Sequence, residues 1–262
     1  MWLYSLRLPM KLSAKFSTGL LLIAFGLASA VACAQTPQRL LIGYGDWFAA
    51  PYALSEQNGS VGGVIRDLAD ELGRRLSREA RLVDVSRRRI DEALETGEIN
   101  VLCLANPTWL ASPGDLLWSQ PVIHERDVFI ALPTRKLSLR GFQDLRGLSV
   151  GTVLGYRYSA ELERMFAERQ AHRDDAANII NNLDRLSLGW IDTMVVAETP
   201  LRYQMDRDPA LAQLSVSSFV DAQQDYSCAF SRQSGISQTE IDRVIDELMA
   251  SGTMARIVSR YR

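Results

Sequence analysis

Hydrophobic positions along the chain follow two periods in alternation. Leu40 to Tyr44 is a short apolar strand, and "GDWFAAPY" after it is a loop marked by glycine and proline. In "GGVIRDLADELGRRLS", Ile65, Leu68, Leu72 and Leu76 fall at i, i+3, i+7 and i+11, one face of a helix. "ARLVDV" predicts a strand, "RRRIDEALETG" a helix stopped by Gly97, and "INVLCLA" a second buried strand. The order β-α-β-α-β implies a mostly parallel sheet.

A second unit starts near "HERDVFIALP" and repeats this logic. "LSVGTV" is a strand, "GYRY" a turn, and "SAELERMFAERQ" and "NNLDRLSLG" are helices, the latter ended by Gly189. "DTMVV" is a strand, and "PLRYQMDRD" a helix with Pro200 in its first turn. "QLSVSSF" and "YSCAFSR" read as two further strands, then "TEIDRVIDELMA" and "MARIVSRY" as closing helices. No Ser/Gly/Pro-rich linker separates the units, so two lobes sharing strands are expected, with a ligand cleft between them.

The first 34 residues change the picture. Lys11 and Lys15 precede an apolar run from Gly19 to Val31 and a small-residue exit, Ala32-Cys33-Ala34, the three regions of a signal peptide. Met10 is an alternative start, and Cys33 an alternative lipid anchor. A periplasmic location is expected. The whole chain has a formal charge of −2, and the leader carries Arg7, Lys11 and Lys15 but no acid, so the remainder is more acidic still. An acidic chain argues against a nucleic-acid partner. Lys136 is the single lysine after the leader, which rules out a spread of lysine-based sites.

Candidate chemistry is sparse. His124 and His172 stand in no nucleophile frame, Gly43-x-Gly45 lacks the rest of a phosphate loop, and no His/Cys/Asp cluster has metal-ligand spacing. No cofactor is expected. Cys103 and Cys228 are either one disulfide or two buried thiols.

Six segments in order resemble the periplasmic solute-binding proteins of ABC importers, amino-acid-binding family 3. They are "GYGDWFAAPYALSEQNGSVGGVIRDLADELGRRL", "ALETGEINVL", "WSQPV", "FQDLRGLSVGTVLGYRY", "LGWIDTMVV" and "LMASGTMARIVSRY", spanning about residues 38 to 261. The resemblance implies the type II periplasmic binding protein fold: two Rossmann-like α/β lobes with mixed, mostly parallel sheets, joined by two crossover segments near 123–127 and 214–220. Lobe 1 would be 35–124 plus 219–262, and lobe 2 would be 125–218. "INVLCLA" and "YSCAFSR" would then be neighbours, which could bring Cys103 to Cys228.

In that family the loop after the "INVLCLA" strand carries an arginine that grips the ligand's α-carboxylate. Six residues before Trp118 that place is held by Ser112, and no arginine occurs between Arg89 and Arg126. The family's ammonium-binding Asp falls on Ala197, with Glu198 adjacent. The resemblance therefore implies a ligand set of Trp47, Tyr52, Asn106, Thr108, Trp109, Tyr156, Arg157 and Glu198, rich in aromatics and short of charge. Arg157 would serve an anion and Glu198 a cation. The expected function is capture of a small polar or aromatic, amino-acid-like solute by a monomer that delivers it to an ABC permease. Alternatives are a sensing partner of a membrane receptor and a dehydratase-like enzyme using Glu198.

Overall fold

The computed structural model describes residues 38–261 apart from positions 46 and 58. The expected leader, with Cys33, lies outside the described residues. The elements run β1 (Arg39–Tyr44), β2 (Leu54–Ser55), β3 (Val61–Gly62), α1 (Val64–Leu76), β4 (Glu79–Asp84), α2 (Ile90–Thr96), β5 (Val101–Ala105), β6 (Leu117–Trp118) and β7 (Ile123–Ala131). They continue as β8 (Ser149–Val153), α3 (Ala160–Ala167), β9 (His172–Ala176), α4 (Ile179–Ser187), β10 (Thr193–Ala197), α5 (Glu198–Met205), β11 (Ser215–Phe230), α6 (Gln238–Ala250) and α7 (Thr253–Ser259).

The strands form one path in the order β4-β1-β5-β11-β7-β10-β8-β9, with β6 attached to β11 and β2 pairing β3 apart from it. Both flanks are parallel, β4-β1-β5 and β10-β8-β9, as crossover helices require. The centre is antiparallel, because β7 and β11 carry the chain between the lobes in opposite directions. Residues 123–127 pair with 222–226 on the return pass.

Each lobe buries both faces of its sheet. In β7, Val128 and Ile130 pack with Leu183, Leu186 and Leu201 of α4 and α5, while Phe129 turns to Leu162 and Met165 of α3. That is the period of two expected of a strand covered on both sides. In the first lobe Ile65, Leu68 and Leu72 of α1 are fully buried against β1 and β5. Burying each such side chain is worth about 1.5–3 kcal/mol.

Three readings differ from the structure. "HRDDA" forms the strand β9, which the sequence hides because it is a polar edge strand. "QLSVSSF" and "YSCAFSR" are the ends of the single strand β11, whose polar middle faces the interlobe region. "RRRIDEALETG" opens as a 3₁₀ turn at Arg87–Arg89 and becomes α-helical only at Ile90.

Cys103 and Cys228 form a disulfide across the β5–β11 pair. The ladder shifts register between Ser227 and Ala229, and the neighbouring Leu104 takes a left-handed φ of 56°. This bulge breaks the alternation, so Leu104 packs with Cys103 instead of opposite it, and it borders the cavity described next.

Candidate functional site

A cavity of about 280 Å³ opens between the lobes at the carboxyl ends of β5, β8 and β10. That is where α/β sheets expose backbone and loops to ligands. Trp47, Tyr52 and Trp109 line it from the first lobe, Tyr156 and Tyr158 from the second, and Tyr226 from β11. The rings form a chain: Tyr52 to Tyr226 at 6.0 Å, Tyr226 to Trp109 at 5.2 Å, Trp109 to Tyr156 at 6.2 Å and Tyr156 to Tyr158 at 5.0 Å between centroids. Tilted and edge contacts of this kind hold aromatic walls without flat stacking.

Tyr52 is placed by the start of α1. The amides of Val64 and Ile65 donate to the carbonyls of Pro51 and Tyr52, which satisfies helix N–H groups that have no partner inside the helix. Gly63 makes this possible: its φ is 88°, and a Cβ there would lie 2.5 Å from the Pro51 carbonyl.

Two carboxylates of β7 face inward. Glu125 is fully paired: it accepts from the Tyr52 hydroxyl, from the Arg126 amide at 3.0 Å and from the Thr199 amide at 3.2 Å. It thus ties the Tyr52 loop to β7 and to the first turn of α5, whose positive end favours a carboxylate. Burial, and then the charge of Glu125, holds the Tyr52 phenol neutral well above its ordinary range.

Asp127 is 1% exposed and lines the cavity. Its neighbours are the Tyr156 hydroxyl at 3.4 and 3.5 Å and the Gln224 side-chain amide at 3.4 Å. These are long for bonds to a carboxylate, which normally run about 2.7–2.9 Å. Burial, and then the charge of Asp221, raises its pKa to about 7. Asp221 itself is held by Ser159, whose amide and hydroxyl both donate to it.

Arg87 lies at the first-lobe edge. Its guanidinium carbon sits 5.9 Å from the Trp47 ring and 5.8 Å from the Trp109 ring, within cation–π range of both. Trp47 is oriented by its indole N–H, which donates to the Val85 carbonyl at 3.1 Å. Arg87 is exposed at the surface, but partial desolvation against the indoles pulls its pKa below its usual value, and the nearby charge of Arg157 adds to this. Among the described residues Arg87 has no carboxylate partner.

Of the residues expected from the sequence, Trp47, Tyr52, Trp109 and Tyr156 line the cavity, and Asn106, Thr108, Arg157 and Glu198 do not. Asn106 accepts from the Thr108 amide and hydroxyl and donates to the Asp225 carbonyl, so this pair shapes its own loop. Glu198 is taken up by Arg202 at 2.9 Å and Arg126 at 3.5 Å. Arg157 is exposed beside the cavity turn. Asp127, Tyr226, Tyr158 and Arg87 are among the cavity residues that sequence reasoning missed. The signal for Asp127 was present: Ile123, Glu125 and Asp127 alternate with exposed His124 and Arg126.

Among the described residues there is no group of His, Cys, Asp and Glu that could hold a metal ion, and no helix is long and apolar enough to cross a membrane.

Two α/β lobes around a cleft, with two strands passing between them, define the type II periplasmic binding protein class. The chain belongs to the bacterial extracellular solute-binding proteins, family 3, which it matches over residues 41–262. Among solved structures, a mutant of ArgBP from T. maritima aligns with a TM-score of 0.67 at 21% identity, covering 85% of this chain and 94% of that one. The GluR0 ligand binding core in complex with L-glutamate aligns with a TM-score of 0.71 at 17% identity, over 87% and 99%. The ancestral amino acid-binding protein AncCDT-1, a precursor of cyclohexadienyl dehydratase, gives 0.67 at 18%, over 85% and 95%. At these identities the likeness is one of fold. The search of curated proteins gave no match.

Proposed function

We propose that this protein captures a small polar or aromatic, amino-acid-like solute between its lobes in the periplasm and delivers it, as a monomer, to an ABC permease. Lobe 1 comprises 35–124 and 219–262, lobe 2 comprises 125–218, and the first 34 residues direct export. The observation that carries this reading is the cavity of about 280 Å³, walled by aromatic rings of both lobes. A ligand touching both walls binds the closed state more tightly than the open one and so draws the lobes together. A membrane partner then distinguishes closed from open. Trp47, Tyr52, Trp109 and Tyr156 are the ligand-facing side chains.

The test is native mass spectrometry of the purified protein, followed by small-angle scattering with and without the released molecule. A bound small molecule and a smaller radius of gyration in its presence are expected. A protein that holds no small molecule and never contracts would refute capture.

A second reading, a dehydratase-like enzyme, has one observation in its favour. Asp127 is a buried carboxyl in the cavity with a pKa of about 7, suited to proton transfer near neutral pH. Glu198, expected for that role, is engaged by two arginines away from the cavity wall. Chemical conversion of the bound molecule during incubation would select this reading.

A further inference from the structure

The cavity is acidic at its floor and apolar at its mouth. Asp127 is 1% exposed and Leu154 is 71% exposed, yet both line the same space, which places Asp127 deep and Leu154 at the entrance. Half-buried Phe48, Ala49 and Ile179 add apolar surface to the wall. At the floor, Asp221 and Glu125 are close enough to Asp127 to raise its pKa. Those two acids are satisfied, Glu125 by Tyr52 and two amides, and Asp221 by Ser159. Asp127 has only the long contacts to Tyr156 and Gln224. A buried carboxylate is costly unless a cation or a proton joins it. Among the described residues lining the cavity, the single cation is Arg87, which is exposed and sits over the indoles at the edge. In the turn after β8 the amides of Val153, Leu154 and Tyr156 are already taken, by the Tyr158 hydroxyl and the carbonyls of Ala176 and Val153.

We infer that the ligand is an organic amine with no carboxylate, its ammonium paired with Asp127 at the floor and its aromatic or aliphatic body lying along the rings toward Leu154. This rests on the capture reading above and narrows its solute to one chemical class. An α-amino acid carries its carboxylate to the floor together with its ammonium. There the carboxylate meets Asp221 and Glu125, and like charges in a dry site repel strongly. It gains neither a cation nor any of those three amides in return. An amine without that group brings only the charge the floor lacks. The phenols of Tyr156, Tyr158 and Tyr226 suit it further, since an ammonium is attracted to ring faces. Its carbon body then replaces water along an aromatic and aliphatic wall, the favourable exchange for apolar surface.

In the empty cavity a proton does what the ammonium does in the filled one. The titratable groups facing Asp127 are Asp221 and Tyr226 of β11, Glu125 of β7, and Tyr156 and Tyr158 of the turn after β8. All are acids or phenols, so ligand-free Asp127 keeps its proton until near neutral pH. The ammonium has to displace that proton below the midpoint and not above it. Affinity for an amine therefore rises as pH passes upward through about 7.

The test is calorimetry at pH 6 and pH 8 with 2-phenylethylamine, tyramine and butylamine, against L-phenylalanine, L-tyrosine, L-lysine and the neutral 2-phenylethanol, beside native mass spectrometry of whatever the purified protein carries. At least one amine is expected to bind at pH 8, about thirtyfold more tightly than its parent amino acid and about tenfold more tightly than at pH 6. Asp127→Asn is expected to weaken the amine on the order of thirtyfold, to leave 2-phenylethanol unchanged and to remove the pH dependence. A merely structural Asp127 would instead weaken amine and alcohol alike. Circular dichroism establishes that the variant is folded, and the ligand series and its pH profile are read on the parent protein whether it folds or not. An α-amino acid, lysine included, or the alcohol binding as tightly as the best amine overturns the inference, as does unchanged affinity in folded Asp127→Asn. Where no member of the series binds, the molecule the protein carries decides: an amine without a carboxylate supports the inference, and any other molecule overturns it while leaving the capture reading intact. Absence of binding throughout the series, with no small molecule in native mass spectra, overturns both.

Discussion

Glu125 and Asp127 are neighbours on the inward face of β7 and both are buried, yet their surroundings differ in kind. Around Glu125, a phenol and two amides from three parts of the chain converge on one carboxylate. Around Asp127, a phenol and an amide stand back at 3.4 to 3.5 Å. Buried polar groups in folded proteins are ordinarily satisfied, and an exception asks for a reason. The first region is a joint between lobes, complete in itself. The second is a surface waiting for something else to complete it.

The strongest way to separate the two regions leaves both untouched. The Cys103–Cys228 bond fastens β5 to β11 across a separation of 125 residues. Replacing both cysteines with serine is expected to lower the unfolding free energy by about 4–5 kcal/mol on the chain-entropy account. Urea titration measures the loss, and ligand affinity is expected to persist in the folded fraction. A matching collapse of affinity would mean that the disulfide also shapes the cavity, through the bulge that carries Leu104.

Next in size is the joint. Glu125→Ala leaves the Tyr52 hydroxyl and the Thr199 amide without their acceptor, at about 1–3 kcal/mol for each buried group, so a loss of roughly 3 kcal/mol is expected. Glu125→Gln keeps an acceptor and is expected to lose about half as much. If both variants melted like the parent, the joint would be ornamental and the contrast with Asp127 would vanish.

The cavity floor is expected to respond with the opposite sign. Asp127 has a folded-state pKa of about 7 against an ordinary value of 3.8. A raised acid contributes most to stability when protonated, below the unfolded value, and that contribution disappears as pH climbs to the folded one. Ligand-free protein is therefore expected to lose stability from pH 4 to pH 7 through this group, on the order of 3 kcal/mol. Asp127→Asn is expected to flatten that slope and to be the more stable protein at pH 8. Thermal melts across this window decide it. A variant that is less stable than the parent at pH 8 would show that the carboxylate is already paired.

Much of this architecture is legible in the residues, and what is hidden has physical causes. Apolar runs such as "VLCLA" and "TMVVA" announce strands covered on both faces, and the spacing of Ile65, Leu68 and Leu72 announces α1. The strand β9 is invisible because an edge strand needs no apolar face. The strand β11 reads as two because its middle, "DAQQD", runs through the polar region between lobes. The aromatic wall was legible in part through the family resemblance, which implied Trp47, Tyr52, Trp109 and Tyr156 and passed over Tyr158 and Tyr226. Arg87 was not, because it belongs to a run of three arginines that looks like a solvated surface. Only tertiary contact with two indoles sets it apart from Arg88 and Arg89. Asp127 was readable from its alternation with His124 and Arg126, a period that marks burial but not purpose.

The smallest expected effect is the most informative about the floor. The Tyr156 hydroxyl faces both oxygens of Asp127, at 3.5 and 3.4 Å. Bonds of that length contribute little, because the interaction weakens steeply with distance. Tyr156→Phe is accordingly expected to change stability by less than about 0.5 kcal/mol. The phenol does pull the Asp127 pKa slightly downward, so its removal is expected to move the carboxyl midpoint upward by a few tenths. Carbon-13 NMR of labelled aspartate follows that midpoint directly. A loss of more than about 1 kcal/mol, or a rise of a full pH unit, would show that Tyr156 already completes Asp127 as Tyr52 completes Glu125. The floor would then be a second joint, with nothing left in it for a ligand to supply.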